Sequence, residues 1–590
     1  MQRVIPTNSI HHVVTFDIFS DGSKVDPSLE VLSINVSKSI NKIPTARIII
    51  RDGDPALETF EESEKDQLIP GKKIKINLGR DSNNETLFEG IVIKHCIKIK
   101  SGTPVLVIDC KDESVKMTIG RHSNYFENVT DSQLIEELIG KYGGLKRGDI
   151  ESTKLSHPNL VQYHTTDWDF MLSRADVNGL LVSVDNGRIS AKLPDTSQEA
   201  ALSVIYGATI FEFEAEIDGR TQYQNIEARA WDYTNQDLFK ADTSSAKVSE
   251  PGNLNGEDIA QDTIQLDTYE LQHSGRIIED ELQQWANACM QRSRLAKIRG
   301  KVSIKDGFGE IVPGDLIDIQ GLGDRFNGKA FVSGVFQEVY NGMWDTHIQF
   351  GLSPEDYHIN KDITDVPASG LIPAIHGLQI GKVVQLESDP DGEDRILVKL
   401  PMIDPSANGT WARVSSLDAG ENRGAFFRPE IDDEVIVGFI NDDPRNAIVL
   451  GMMNSSAKPA PIQAADVNHE KGFVTRDELK LLFDDEHKKV TISTPGGNSI
   501  TIDESEKTIE IKDQNNNKVT MNSSGISMDS PKEISIKAGT SVTIEATTSM
   551  TLKGASIKAQ ATGQFEASGA ATKIAAQGIA EMSGSLLKLN

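Results

Sequence analysis

Cysteine is nearly missing, with only Cys96, Cys110 and Cys289 in 590 residues. An odd number spread so thinly builds no disulfide framework, and no CxxC spacing is present to hold a metal. The histidines, His11 and His12 included, show no ligand spacing, so neither a metal site nor a cofactor is expected. No run of 18 apolar residues occurs, and the N-terminus Met1-Gln2-Arg3-Val4-Ile5-Pro6 lacks the apolar core of a secretory signal. The expectation is a chain made and kept in the cytoplasm unless a machine exports it. Basic charge is short as well: 60 Lys and Arg against 88 Asp and Glu leave −28, which repels nucleic acid and anionic membrane.

What is present is β-pattern. The length allows about three or four domains. Val13 to Phe19, Val31 to Val36, Thr45 to Ile50, Lys72 to Leu78, Leu87 to Ile93 and Val105 to Asp109 are β-rich runs between turn residues, predicting a barrel or sandwich. A helix follows: Thr130 and Gln133 have capping-box spacing, Leu134/Leu138 and Ile135/Ile139 share a face, and Gly143-Gly144 can end it. A second is predicted from Thr166 to Val177, leading through Leu180 to Val184 and an Asp185-Asn186-Gly187 turn into Arg188 to Ala191. The longest is predicted over 276 to 299, with Ile278, Leu282, Trp285, Ala286, Met290 and Leu295 on one face and Gly300 as its stop. Short strands resume to residue 352, and the stretch around Ala368 to Pro373 reads as a linker. The runs Lys382 to Leu386, Arg395 to Leu400, Ala412 to Val414, Glu434 to Phe439 and Ala447 to Leu450 give the strand count of an OB barrel. Residues 455 to 488 read as a polar connector with a short helix near Thr475 to Phe483.

From Val490 onward the sequence repeats about every eight residues, each unit carrying apolar residues at i and i+2 followed by Gly, Ser, Asn or Asp. The pairs are Val490/Ile492, Ile500/Ile502, Ile509/Ile511, Val519/Met521, Ile526/Met528, Ile534/Ile536, Val542/Ile544, Met550/Leu552, Ile557/Ala559, Phe565/Ala567, Ile574/Ala576, Ala580/Met582 and Leu587/Leu589. A disordered tail would not hold Ile and Val in a two-residue register over such a length. A strand this short cannot bury its apolar face alone, so other copies are expected to supply the partner. Three chains would form a triangular prism, one strand from each per layer, ~60 Å long at ~4.8 Å per layer. Its core residues would be Ile492, Ile502, Ile511, Met521, Met528, Ile536, Ile544, Leu552, Phe565 and Ile574. Phe565 is the only aromatic in this stretch, and inward positions shrink to alanine toward the end, as a thin rod requires.

The OB module carries Asp389-Pro390-Asp391-Gly392, the run Arg395 to Pro401, Trp411-Ala412-Arg413-Val414, the run Arg428 to Phe439, Asp443-Pro444-Arg445 and Val449-Leu450-Gly451. Upstream stand the run Thr166 to Arg174, Pro313-Gly314-Asp315 and the run Gly321 to Gly328. In this order the chain resembles the VgrG family, the hub and spike proteins of type VI secretion systems, and related spikes of phage tails and extracellular contractile injection systems. The resemblance implies a mainly β fold: a hub of two tube-like β-barrels with helical insertions over 1–372, an OB-fold barrel over 373–454, a connector over 455–489, and an intertwined triple-stranded β-helix over 490–590. It implies a homotrimer that caps an inner tube, joins a baseplate and pierces a target envelope when a sheath contracts. Inner-tube and baseplate proteins are the implied partners, with effector cargo alongside, and neither catalysis nor a cofactor is implied. Relatives with a histidine pair at the tip hold a metal there; here no histidine lies beyond His487. The repeat runs to Leu587 and Leu589 with Asn590 last, and a final layer left bare implies a small PAAR-type tip protein seated on Leu587, Leu589 and Asn590.

Other functions fit the residues less well. OB barrels can bind single-stranded nucleic acid, but residues 378 to 452 carry seven Lys and Arg against fourteen Asp and Glu. The acidic pairs Asp167/Asp169 and Asp432/Asp433 have the look of glycosidase carboxylates. Asp167 begins a helix, however, where a negative charge suits the dipole, and Asp432-Asp433 marks a turn entering a strand. A tailspike-like polysaccharide depolymerase would need acids and aromatics grooved into the β-helix surface, and that stretch has one aromatic.

Overall fold

The computed structural model describes residues 13–243, 246–305, 307–360, 363–406 and 408–588. Two compact units divide the chain: Met1–Ile380 with Gln385–Ala425 and Val437–Leu450, and Gly381–Val384 with Phe426–Ile436 and Gly451–Asn590.

In the first unit every predicted early strand forms: Val14–Ser20, Val31–Ser39, Thr45–Arg51, Lys73–Arg80, Asn83–Lys100 and Thr103–Lys111. Period-two alternation sends Ile34, Ile48, Ile50, Ile76, Leu106 and Ile108 into one core, and the antiparallel registers Ile34↔Ile48 and Ile48↔Ile108 stack them. A second core gathers Val302, Ile317, Ile319, Val332, Ile348 and Phe350 from the strands Ile298–Ile304, Leu316–Gln320, Gly328–Tyr340 and Met343–Phe350. The two halves expected as successive barrels share one sheet. Gly328–Tyr340 pairs antiparallel with Val31–Ser39, matching Phe336 to Ser37 and Val339 to Ile34, within a thirteen-stranded sheet.

The helices follow their local signals closely at the start and less well at the end. Thr130 caps Asp131–Gly140 with its hydroxyl accepting from the Gln133 backbone while the Gln133 side chain accepts from the Thr130 N–H, a complete capping box. Thr166 caps Asp167–Val177, which buries Trp168, Phe170, Met171 and Leu172. Their meeting point is ionic: the fully buried Asp131 carboxylate accepts from Arg174 Nε at 2.7 Å and Asn178 Nδ2 at 2.8 Å, with His157 Nε2 at 3.1 Å. Arg174 also donates to Glu281 at 2.8 Å, on the longest helix.

That helix spans Glu279–Leu295, shorter than the predicted 276 to 299. Ile278 is its exposed N-cap, and Gly300 is no helix stop but a residue of the Ile298–Ile304 strand. There a Cβ would lie 2.3 Å from the Glu214 carbonyl oxygen and 2.7 Å from the Phe350 ring, so only glycine lets the neighbouring strand and the ring close in. Gly300→Ala is expected to destabilise the first unit by about 1–3 kcal/mol through overpacking, read as a lower urea midpoint with an unchanged slope.

Five strands close into the expected small barrel, in the order Gln379–Gln385, Ile396–Lys399, Thr410–Val414, Ala447–Met452, Glu434–Phe439. In the second unit, seven strands form an antiparallel meander in sequence order: Glu470–Val474, Lys480–Asp484, Lys489–Ser493, Ser499–Asp503, Thr508–Lys512, Lys518–Asn522 and Gly525–Asp529. The sheet thus begins ahead of Val490, inside the stretch read as a connector. The short helix predicted near Thr475 to Phe483 is absent. A tight turn forms instead, with Thr475 N–H donating to Leu479 O and Glu478 N–H to Thr475 O, and Leu481 and Phe483 follow on one face of a strand. Among the described residues 530–588 no strand is present.

Candidate functional site

The meander puts each i and i+2 pair on the same side. Leu481 stands opposite both Phe473 and Ile492, and Phe483 opposite Val490. The series continues through Ile492↔Ile500, Val490↔Ile502, Ile500↔Ile511, Ile502↔Ile509, Ile511↔Val519, Ile509↔Met521, Val519↔Met528 and Met521↔Ile526. The opposite face carries Thr491, Thr501, Glu510, Thr520 and Ser527, and the Lys518 ammonium pairs with Glu510 there. One face is therefore apolar from end to end and the other, Leu482 apart, polar, yet the apolar one is uncovered: Ile502 is 50% and Ile526 70% exposed. A shallow groove of about 430 Å³ runs along it between Ile492, Ile500, Ile511 and Val519. An apolar stripe of this extent on one sheet face ordinarily marks an interface.

The turns joining the strands are fixed by their own side chains. The Asp513 carboxylate accepts from the Asn517 amide side chain at 2.8 Å and from the backbone N–H of Asn515 and Asn517 at 2.9 and 2.8 Å, which holds it below the usual carboxylate range. At another turn, Asp484 and His487 lie 2.9 Å apart; the hydrogen bond lowers the aspartate and raises the histidine.

Of the core residues expected from sequence, Ile492, Ile502, Ile511, Met521 and Met528 come together on this face. Ile536, Ile544, Leu552, Phe565 and Ile574 lie outside any strand with their side chains exposed, as does Leu587; Leu589 and Asn590 lie outside the described residues. Phe473, Leu481 and Phe483 belong to the face and were missed. The signal was there, since Leu481 and Phe483 repeat the i, i+2 pattern one unit ahead of Val490 and Ile492.

The acidic pairs are occupied structurally. Buried Asp167 accepts from the Tyr142 hydroxyl at 2.9 Å and the Gln162 amide at 2.8 Å, and Asp169 from the Tyr357 hydroxyl at 2.6 Å. Asp432 pairs with Lys382 at 2.9 Å and Asp433 with Lys458 at 2.8 Å. Neither pair lines a cleft with a free carboxylic acid facing a free carboxylate. Among the described residues no three His, Cys, Asp or Glu side chains gather as a metal-binding group, and no helix is long and apolar enough to cross a membrane.

Residues 10–341 match the family model of the Alg8 N-terminal domain. The chain belongs to that family. Residues 379–453 of this Alg8-type chain match the type VI secretion system/phage-baseplate injector OB domain, so the module read from its motifs as an OB barrel is the injector form of it. Through that module the chain shares an injector OB domain with type VI secretion system and phage-baseplate proteins. Similar solved structures include the 43 kDa tail protein of prophage MuSo2 from Shewanella oneidensis, at 10% identity over 58% of this chain and 99% of that one with a TM-score of 0.44. An E. coli component of the type VI secretion system is 12% identical over 74% of this chain and 99% of that one, with a TM-score of 0.38. The Francisella PdpA–VgrG complex in its lidded form is 11% identical over 85% of this chain and 80% of that one, with a TM-score of 0.38. No curated protein matches.

Proposed function

We propose that this Alg8-type chain is a non-enzymatic homotrimeric hub and spike of a contractile injection system. It caps the inner tube, joins the baseplate and pierces the target envelope on sheath contraction. The observation that carries the reading is the one-sided apolar face of the meander, whose i, i+2 register continues through Ile536, Ile544, Leu552, Phe565 and Ile574 in a chain that also bears an injector OB domain. The seven strands of each meander pair with one another within the chain and leave the apolar face bare, and three such faces turned toward one axis bury one another. The chain is assembled in the bacterial cytoplasm into the injection particle and leaves the cell on firing. Its partners in this reading are two further copies, inner-tube and baseplate proteins, effector cargo, and a PAAR-type tip protein seated at Leu587, Leu589 and Asn590.

Light scattering on the purified chain is expected to give three times 64.5 kDa, about 190 kDa. A chain that stays monomeric at micromolar concentration overturns the proposal.

A further inference from the structure

The apolar stripe does not stop at the first strand of the meander. The Phe427 ring lies 5.4 Å from the Phe473 ring with 19° between their planes, and Phe473 shares its face with Leu481 and, through it, with Ile492. The segment carrying Phe427 is fastened to the meander and its lead-in by ion pairs, Glu430 to Arg476 at 3.1 Å and Asp433 to Lys458 at 2.8 Å, and by the Met453 N–H donating to Glu434 O at 3.1 Å. Phe427 therefore moves as part of the same body. It is nevertheless 60% exposed, Phe426 beside it 77%, and Phe473 46%. The second unit has five aromatic residues, and four of them, Phe426, Phe427, Phe473 and Phe483, sit at this one end.

We infer that the surface between copies of this chain climbs past the meander onto Phe427, so that Phe427, Phe473 and Phe483 of three copies form an aromatic belt around the same axis. This rests on the trimeric reading and deepens it. Two observations favour a copy of the chain over any other occupant. The belt is continuous with the meander face, and in a closed threefold assembly a stripe that points at the axis is covered by its own equivalents along its whole length. Side-chain size also differs between the two ends: rings gather at Phe427, Phe473 and Phe483, the meander pairs are isoleucine, valine and methionine, and alanine enters the register only from Ala559 onward, where Phe565 and Leu587 are among the larger residues that remain. A core that narrows along an axis suits rings at its wide end and added alanine toward the other; an unrelated partner lying on the stripe calls for neither. The ions flanking the belt are already paired within the chain, so no charged ligand is called for, and stacked rings would supply attraction beyond simple burial.

The test uses the full-length chain with Cys96→Ser and Cys289→Ser, since Cys110 is buried. Phe427→Cys and, separately, Phe473→Cys are treated with a short bis-maleimide and run on a denaturing gel, with Leu417→Cys as an exposed control off the stripe. Copies linked at twice the chain mass for Phe427→Cys and Phe473→Cys but not for the control are expected. Phe427→Ser is further expected to raise the concentration of half-dissociation by about tenfold or more. An assembly that is trimeric by light scattering, yet links at neither position and keeps its dissociation with Phe427→Ser, overturns the belt and leaves the trimer standing. That outcome would also fit a cargo segment seated there. A parent chain that is monomeric removes the reading on which the belt rests.

Discussion

Ile502→Asp is expected to leave the chain unable to trimerise. Ile502 sits in the middle of the apolar face, opposite Val490 on one side and Ile509 on the other. In the proposed assembly its replacement would bring three carboxylates to one dry axis, where each either stays charged at a cost of several kcal/mol or takes up a proton to avoid it. Sedimentation at neutral pH should show monomer, with partial recovery of the trimer in acid as the introduced carboxyls become neutral. Thr501→Asp is the matched control: it is adjacent in sequence but on the polar face, and should shift stability by no more than about 0.5 kcal/mol. Equal behaviour of the two variants would mean that the apolar face is not the contact. The same contrast, Ile536→Asp against Ser535→Asp, asks whether the interface continues below the meander.

The second large effect lies in the first unit. Asp131→Asn keeps the shape of the side chain but removes the charge that faces Arg174 and His157, leaving the buried guanidinium with Glu281 in place of two carboxylates at a cost of about 3 kcal/mol. Burial alone would favour the neutral carboxyl. Hydrogen bonds from His157, Arg174 and Asn178 outweigh it and hold Asp131 well below the usual carboxylate range. A folded-state pKa depressed in this way stabilises at every pH above the unfolded value of about 3.9, and that contribution drains away as pH falls from there toward the folded value. The parent should therefore be the more stable protein at neutral pH, with the gap to Asp131→Asn narrowing only below about pH 4. A thermal-unfolding series across that range reads both the gap and its closure; a gap independent of pH would place the loss in packing rather than charge.

Signals that act within one turn of chain were legible. Thr130 and Gln133 are three residues apart, and their capping box is the one the spacing predicts. The alternation of Ile48 with Ile50 and of Leu106 with Ile108 located strands whose partners lie far off in sequence, because burial on one face leaves a local mark. Gly300 was misread because what makes it glycine is the approach of Glu214 and Phe350, neither of them near it in sequence. The joining of Val31–Ser39 to Gly328–Tyr340 leaves no local mark at all. Leu479 to Phe483 is a short apolar run with a lysine inside it, and over so few residues helix and strand periods are hard to separate. Five members of the proposed core were readable from the i, i+2 register, which also continues beyond residue 530, where no strand forms among the described residues of the single chain. The contact of Phe427 with Phe473 spans a stretch of chain with no periodicity of its own, and only the fold brings the two rings together.

The direction of the meander's hydrogen bonds bears on how the second unit carries load. Its seven strands are stacked in sequence order, so the ladder runs from Glu470–Val474 to Gly525–Asp529 over six steps, ~29 Å at ~4.8 Å each. Thrust applied along the ladder squeezes each strand against the next and is met by hard-core repulsion. Tension along the same line meets the hydrogen bonds of one strand pair at a time, and the meander can peel from its terminal strand. In the proposed role the sheet would be strong in the forward stroke and weak on withdrawal, coming apart in the wound rather than being drawn back.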